Sequence, residues 1–275
     1  MIKGLQIEMR QSYAFVARNF NLVKRYWGWE MVWLAYTVAN ALSVTFIGAG
    51  AGEITGQQID SDFLIIYLLI GTLVWHFLSS IFHNISEMIA WERWEGTIEY
   101  TFMAPVRRYN QMLGQTIFAV VYSLLFTIIV GVLVTAFFNL DFSDANFLTA
   151  LVILLMGSLS FVGLGMVASI LPLLYPERGA QMTNIVQALF LLVSGIYYPV
   201  SVLPEWLQVV SKISPATYVL EGMRASLLPG TSDKNPMSFV WPLLLMGVVM
   251  LPLGVYLFQR AERYTKRTGK LKRNG

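Results

Sequence analysis

The fold this sequence predicts is an all-α integral membrane protein with six transmembrane helices. Three observations lead there. Apolar residues make up 56% of the 275 positions and charged residues only 13%, about half the share usual in a soluble domain. The apolar residues gather into six stretches, each near the roughly 20 residues that cross a bilayer core. The basic residues, finally, collect in alternate connections between those stretches, as they do in multi-pass proteins.

Residues 1–28 carry Lys3, Arg10, Arg18, Lys24 and Arg25 at near-heptad intervals, with Ile2, Leu5, Met9, Val16, Phe20 and Val23 between them. A helix lying in the interface, basic face to headgroups and apolar face to acyl chains, fits that pattern; a plain basic flank fits it equally. A basic start, an unbroken apolar run and a small-residue cleavage site do not occur together here, so the segment is expected to stay in the mature protein.

The predicted six-span bundle, 29–258, has its spans at 29–50, 62–83, 111–138, 146–173, 184–202 and 239–258. Lys and Arg number five in the N-terminal segment, three in the connection around Arg93, one around Arg178 and seven in the tail 259–275. The other three connections hold none, none and three, which places both termini in the cytoplasm of a cell (plasma or inner) membrane protein. Attraction to anionic lipid is the role expected of the tail, at about 1 kcal/mol per basic residue near the surface; nucleic acid is not expected as a partner.

Between the second and third spans lies a polar island, 84–108. Glu92, Glu95 and Glu99 fall at helical spacing on one face, and Trp91, Trp94, Ile98 and Phe102 on the adjoining one. Asn84 with Glu87 reads as a start signal and Pro105 as a stop, so a single short amphipathic helix over 87–102 is predicted. An acidic stripe of this kind can also be a simple solvated face.

The last outer connection, 203–236, is long and rich in apolar residues. Pro204 and Pro215 each sit where a helix can begin, giving two short helices in an outer re-entrant hairpin packed against the bundle, since irregular backbone at membrane depth survives only when buried in protein or lining a water-filled cavity.

Phosphate-loop, zinc-protease and serine-nucleophile motifs are absent, and cysteine is absent altogether, so the chain carries no ATPase motif, no catalytic residue and no expected metal site. His76 and His83 share a face of the second span, but without a third ligand they read as polar contacts in the bundle or at its edge. The spans lack the midplane ionisable groups that ion-coupled carriers use, which points to an external motor. A substrate path must then be apolar, aromatic and neutral polar. Its candidates are Trp75, His76 and Ser79 on the second span and Asn184, Gln187, Phe190, Ser194, Tyr197 and Tyr198 on the fifth, with interhelical hydrogen bonding as the alternative role. Gly157, Gly163, Gly165 and Ser169 on the fourth span read as close helix packing.

The string Glu92-Arg93-Trp94-Glu95-Gly96-Thr97-Ile98-Glu99, followed by Ala104-Pro105, resembles the E-R-E-x-G-T-x-E…[ST]-P signature of type-2 ATP-binding-cassette (ABC) permeases. Trp94 stands where that family often has an acid, and Ala104 where it often has Ser or Thr. Further on, Ser194-Gly195-Ile196-Tyr197-Tyr198-Pro199, Leu203-Pro204-Glu205-Trp206-Leu207, Ser214-Pro215 and Glu221-Gly222-Met223-Arg224 are similar to the family's second region, around the fifth helix and the outer hairpin. The resemblance implies that Glu87, Glu92, Arg93, Trp94, Glu95, Gly96, Thr97, Glu99 and Pro105 form a coupling helix docking on an ATPase. It assigns Pro199, Pro204, Trp206, Pro215, Glu221 and Arg224 to the outer hairpin. It further implies two copies of a cytoplasmic ATPase that bind ATP and Mg, a second permease copy or close paralogue, and a path between the second and fifth helices. A hydrophobic or amphipathic cargo (drug, antibiotic or lipid) suits the uncharged aromatic lining. The alternatives are a permease for lipid-linked polysaccharide, a non-transporting sensor or assembly subunit, and a channel.

Overall fold

The computed structural model describes residues 2–56, 60–228 and 235–268. Two parts of the sequence reading, hairpin residues 229–234 and tail residues 269–275, lie outside them. The described residues are helical, with no strand among them. In chain order the helices are α1 (Ile2–Arg25), α2 (Trp27–Ala49), α3 (Ala51–Thr55), α4 (Ser61–Ser86), α5 (Met88–Trp94), α6 (Ile98–Met103), α7 (Arg108–Phe138), α8 (Phe147–Ala168), α9 (Ile170–Leu174), α10 (Gly179–Val193), α11 (Glu205–Ser211), α12 (Pro215–Leu227) and α13 (Val240–Arg267).

Five helical stretches are long and apolar enough to cross a membrane: α2, α4, α7, Phe147–Leu174 and Pro236–Arg267. Their ends follow local chemistry. Asp60 caps α4 by accepting from the Phe63 amide at 3.1 Å, and Asn146 caps α8 from the Thr149 amide at 3.0 Å. Asn139 closes α7 in the left-handed conformation, φ 50°.

The expected fifth span does not form as one helix over 184–202. α10 starts earlier and has 15 residues, about 22 Å at 1.5 Å per residue, short of a bilayer core of about 30 Å. Hydropathy continues past Val193, but Gly195 turns left-handed at φ +68° and Pro199 follows, so the helical hydrogen bonds stop. Likewise the last helix does not end at 258. It runs to Arg267, because its polar turns still bury Phe258, Glu262 and Thr265.

At the centre stands α4, whose buried face packs against α2, α7, α8 and α12. On one side a small cluster of Ala41, Leu69, Val130 and Val134 joins α2, α4 and α7. Glu30, the one acid in α2, accepts from the Tyr122 hydroxyl of α7 at 2.5 Å. On the other side α8 and α13 meet backbone to backbone. A Cβ on Gly163 would lie 2.5 Å from the Met250 carbonyl, and one on Gly254 2.5 Å from the Gly163 oxygen. Gly157 leaves the same kind of room for Val219 of α12 and Gly165 for Ile85 of α4, so these glycines do permit close packing. α1 lies along α7, where Gly114 admits the Ser12 backbone and the pairs Gln11–Asn110 (2.7 Å) and Asn19–Gln115 (2.6 Å) pin it.

Candidate functional site

The polar island forms a compact, charged joint at one end of the bundle. It is not one helix. α4 runs on through Asn84, whose amide donates to the Ser80 carbonyl at 2.9 Å instead of capping a new helix. The chain bends at Glu87, forms α5, turns at Gly96 with φ +72° and resumes as α6, which stops before Pro105 as expected. The left-handed glycine is what defeats the helical wheel: positions 92 and 99 are no longer on a common axis.

The break turns the acids in different directions. Glu92 faces inward, 3% exposed, accepting from Arg18 at 3.2 Å and from the Gln111 amide at 2.9 Å. Arg18 also donates to Thr97 Oγ1 at 3.1 Å, so one guanidinium from α1 clips both sides of the Gly96 turn. Glu87 is buried and accepts from the Thr183 hydroxyl of α10 at 2.5 Å. Arg93, also buried, donates to the Leu173 carbonyl at the end of α9 at 3.1 Å. Glu95 is half-buried and accepts from the Tyr26 hydroxyl at 3.3 Å. Burial raises the Glu92 carboxyl above its ordinary range, with Arg18 opposing, and burial lowers the Arg93 guanidinium.

Glu99 and Pro105 remain on the outside, with the aromatic pair Trp91 and Trp94 (ring centroids 5.3 Å apart) and with Tyr100 and Met103 of α6. Trp94 is 67% and Tyr100 75% exposed. The face predicted to carry Trp91, Trp94, Ile98 and Phe102 is therefore split: Ile98 and Phe102 are buried, Trp91 and Trp94 are not.

Sequence reasoning did not find Arg18, Gln111, Arg108 or Glu262 as members of this joint. Arg108 reaches Glu262 of α13 at 3.2 Å and also bonds Gln111, so the charges of α1, α5, α7 and α13 are continuous. The available signal was Glu262 itself, the one acid in an otherwise basic tail.

The expected substrate-path residues divide into two groups. His76 turns toward α7, with Nδ1 3.0 Å from Thr127 Oγ1 and its ring stacked on Phe126, and Ser79 bonds the His76 carbonyl of its own helix at 3.2 Å. Trp75, Phe190 and Tyr197 pack against one common core, Phe190 with centroids 6.3 Å from Phe82 and 5.9 Å from Phe161. Ser194 is buried, bonded to the Phe190 carbonyl and 3.0 Å from the Ser214 hydroxyl, and Tyr198 donates to the Leu192 carbonyl. Asn184 is exposed and Gln187 half-buried. The polar stripe on α10 is thus consumed by packing at its Ser194 end and free at its Asn184 end.

At the opposite end, Pro204 precedes α11 and Pro215 opens α12, as expected. α12 is largely buried against α8 and α4, while Trp206 and Glu221 are exposed, as is Pro199. Arg224 is 7% exposed. It donates to the Gly195 carbonyl at 3.3 Å and the Ile196 carbonyl at 2.7 Å, with its guanidinium 3.5 Å from the Tyr67 ring centroid. It holds two carbonyls of the turn that follows α10. Among the described residues no group of three His, Asp or Glu side chains is placed to hold a metal ion.

Fold and site together define a multi-pass membrane protein with a charged joint at one end and the two short helices α11 and α12 at the other. The ABC-2 type transporter model matches residues 10–228, most of the chain, and the chain belongs to that family. Membership makes it the permease component of an ABC transporter, which works with an ABC ATPase. α13 lies outside the matched residues. No curated protein matches the chain.

Proposed function

We propose that the chain is the membrane-spanning subunit of an ATP-driven exporter moving a hydrophobic or amphipathic molecule across the cell membrane. Two permease copies, identical or closely related, would work with two cytoplasmic ATPase subunits that bind ATP and Mg. The short α10 and the α11–α12 hairpin together take the place of a fifth span in a six-span layout, and both termini face the cytoplasm. The α5–α6 segment is the coupling element. Its outer face, with Trp94, Glu99, Tyr100 and Met103, is what an ATPase would meet, while Glu87, Glu92 and Arg93 fix the segment to the bundle from behind. ATPase closure then moves the joint as a rigid body and reshapes the path lined by Trp75, Phe190 and Tyr197.

The observation that carries this reading is the family match over a chain whose signature string forms a joint with one buried and one exposed face. It is tested by purifying the tagged chain from its native membrane in mild detergent, with and without Trp94→Ala plus Glu99→Lys. The expected result is a phosphate-loop ATPase recovered with the wild type and lost with the variant, its hydrolysis stimulated by lipophilic cations or antibiotics. No ATPase with the wild type would overturn it.

A further inference from the structure

The last turns of α13 do more than present exposed basic residues. The helix has 28 residues, about 42 Å, and its final turns extend beyond its apolar part while still burying one face, Phe258, Glu262 and Thr265. An acid on a segment that serves only to attract anionic lipid would oppose that attraction. Here the acid is turned inward and shared by two cations: Glu262 Oε1 accepts from Arg108 Nε at 3.2 Å and from Lys266 Nζ at 2.8 Å. Both cations also approach a single aromatic ring of the joint, Phe102 of α6, at 4.1 Å and 5.7 Å from its centroid. Phe102 is buried. Arg108 further bonds Gln111, which donates to Glu92, which Arg18 holds.

We propose that Glu262 and Arg108 are positioning residues that make the end of α13 a brace for the coupling element, so that α6 and α13 move as one body. This rests on the coupling role assigned above to α5–α6. The brace has a chemical logic. A buried carboxylate holds both cations, and a cation held by a carboxylate keeps a fixed pose over a ring, so displacing α6 would break both cation–ring contacts and the bond from Arg108 Nη1 to the Thr101 carbonyl (3.5 Å) together.

The chain has no cysteine, which permits clean paired spin labels at Ala104→Cys, half-buried where α6 ends and not among the residues assigned to the ATPase, and at Arg263→Cys on α13. The distance between them is read by pulsed electron paramagnetic resonance in the permease–ATPase complex in lipid nanodiscs, without nucleotide and with ATP, Mg and vanadate. The expected wild-type result is one narrow distance that nucleotide does not change. Glu262→Gln should introduce a second, longer distance whose share changes with nucleotide while the ATPase remains bound. Phe102→Leu, which keeps every charge, should loosen the pair in the same way and serves if Glu262→Gln does not fold. A single, nucleotide-independent distance in a folded Glu262→Gln or Phe102→Leu complex overturns the brace alone. Failure of the wild type to hold an ATPase overturns the coupling reading and the brace with it.

Discussion

The two ends of the molecule solve one problem with opposite chemistry. Each interrupts a helix with a left-handed glycine, Gly96 at φ +72° and Gly195 at φ +68°, and each secures the break with an arginine from a distant helix. At the charged end Arg18 meets a carboxylate, and the contact extends through Gln111 and Arg108 to Glu262. At the hairpin end Arg224 meets two backbone carbonyls and a tyrosine ring. A carboxylate carries a charge that can be titrated and screened by salt, whereas a backbone carbonyl carries none. The contacts at the first end depend on the protonation of their acceptors, and those at the second do not.

The strongest attack on that contrast is Arg224→Lys. An ammonium cannot bridge two carbonyls and stack on Tyr67 at once, so at least one buried carbonyl loses its donor, at a cost of about 1–3 kcal/mol, and the planar contact is lost as well. Unfolding in detergent should show the loss, with Ser194→Cys in the same background changing from unreactive to thiol-reactive as the hairpin loosens. Full stability with an unreactive thiol would mean that Arg224 is not what holds this end.

Replacing the two glycines by alanine sharpens the comparison at the level of backbone. Each substitution should cost about 1–2 kcal/mol from the left-handed conformation alone. Gly195→Ala should cost more than that, because its Cβ would lie 2.8 Å from Val200 Cγ2 and 3.0 Å from the Tyr198 carbonyl. Paired thermal unfolding of Gly96→Ala and Gly195→Ala checks the order.

The smallest expected effect is one of slope. Burial raises the Glu92 carboxyl, so the folded protein binds that proton more tightly than the unfolded chain does. Its contribution to stability is therefore largest in acid and is lost as pH rises from the ordinary value of 4.5 through the raised one. Glu92→Gln should remove that slope from a plot of unfolding midpoint against pH, while Arg224→Lys should leave it unchanged.

Much of this was legible in the residues. Apolar runs located five spans, proline placed the starts of α11 and α12, and Pro105 placed the end of α6. What a helical wheel cannot register is a change of axis. One glycine at 96 divided the acidic stripe and sent Glu92 inward, and one at 195 ended α10 within a run whose hydropathy gave no warning. Asn84 had the chemistry of a cap but lay within a helix that was already under way. The roles of Arg18 and Glu262 were hidden for another reason: each lies more than seventy residues from its partner, and local composition describes each only as part of a basic segment.

The glycine seam between α8 and α13 sets where such a bundle can bend. With Gly163 and Gly254 bringing the main chains of two long helices into contact, the pair forms a plank of double width. Side chains that interdigitate can slide past one another by changing rotamers, but main chain pressed on main chain has no rotamers to change. A change of shape in the membrane is expected at the helices that border this plank before it separates the seam itself.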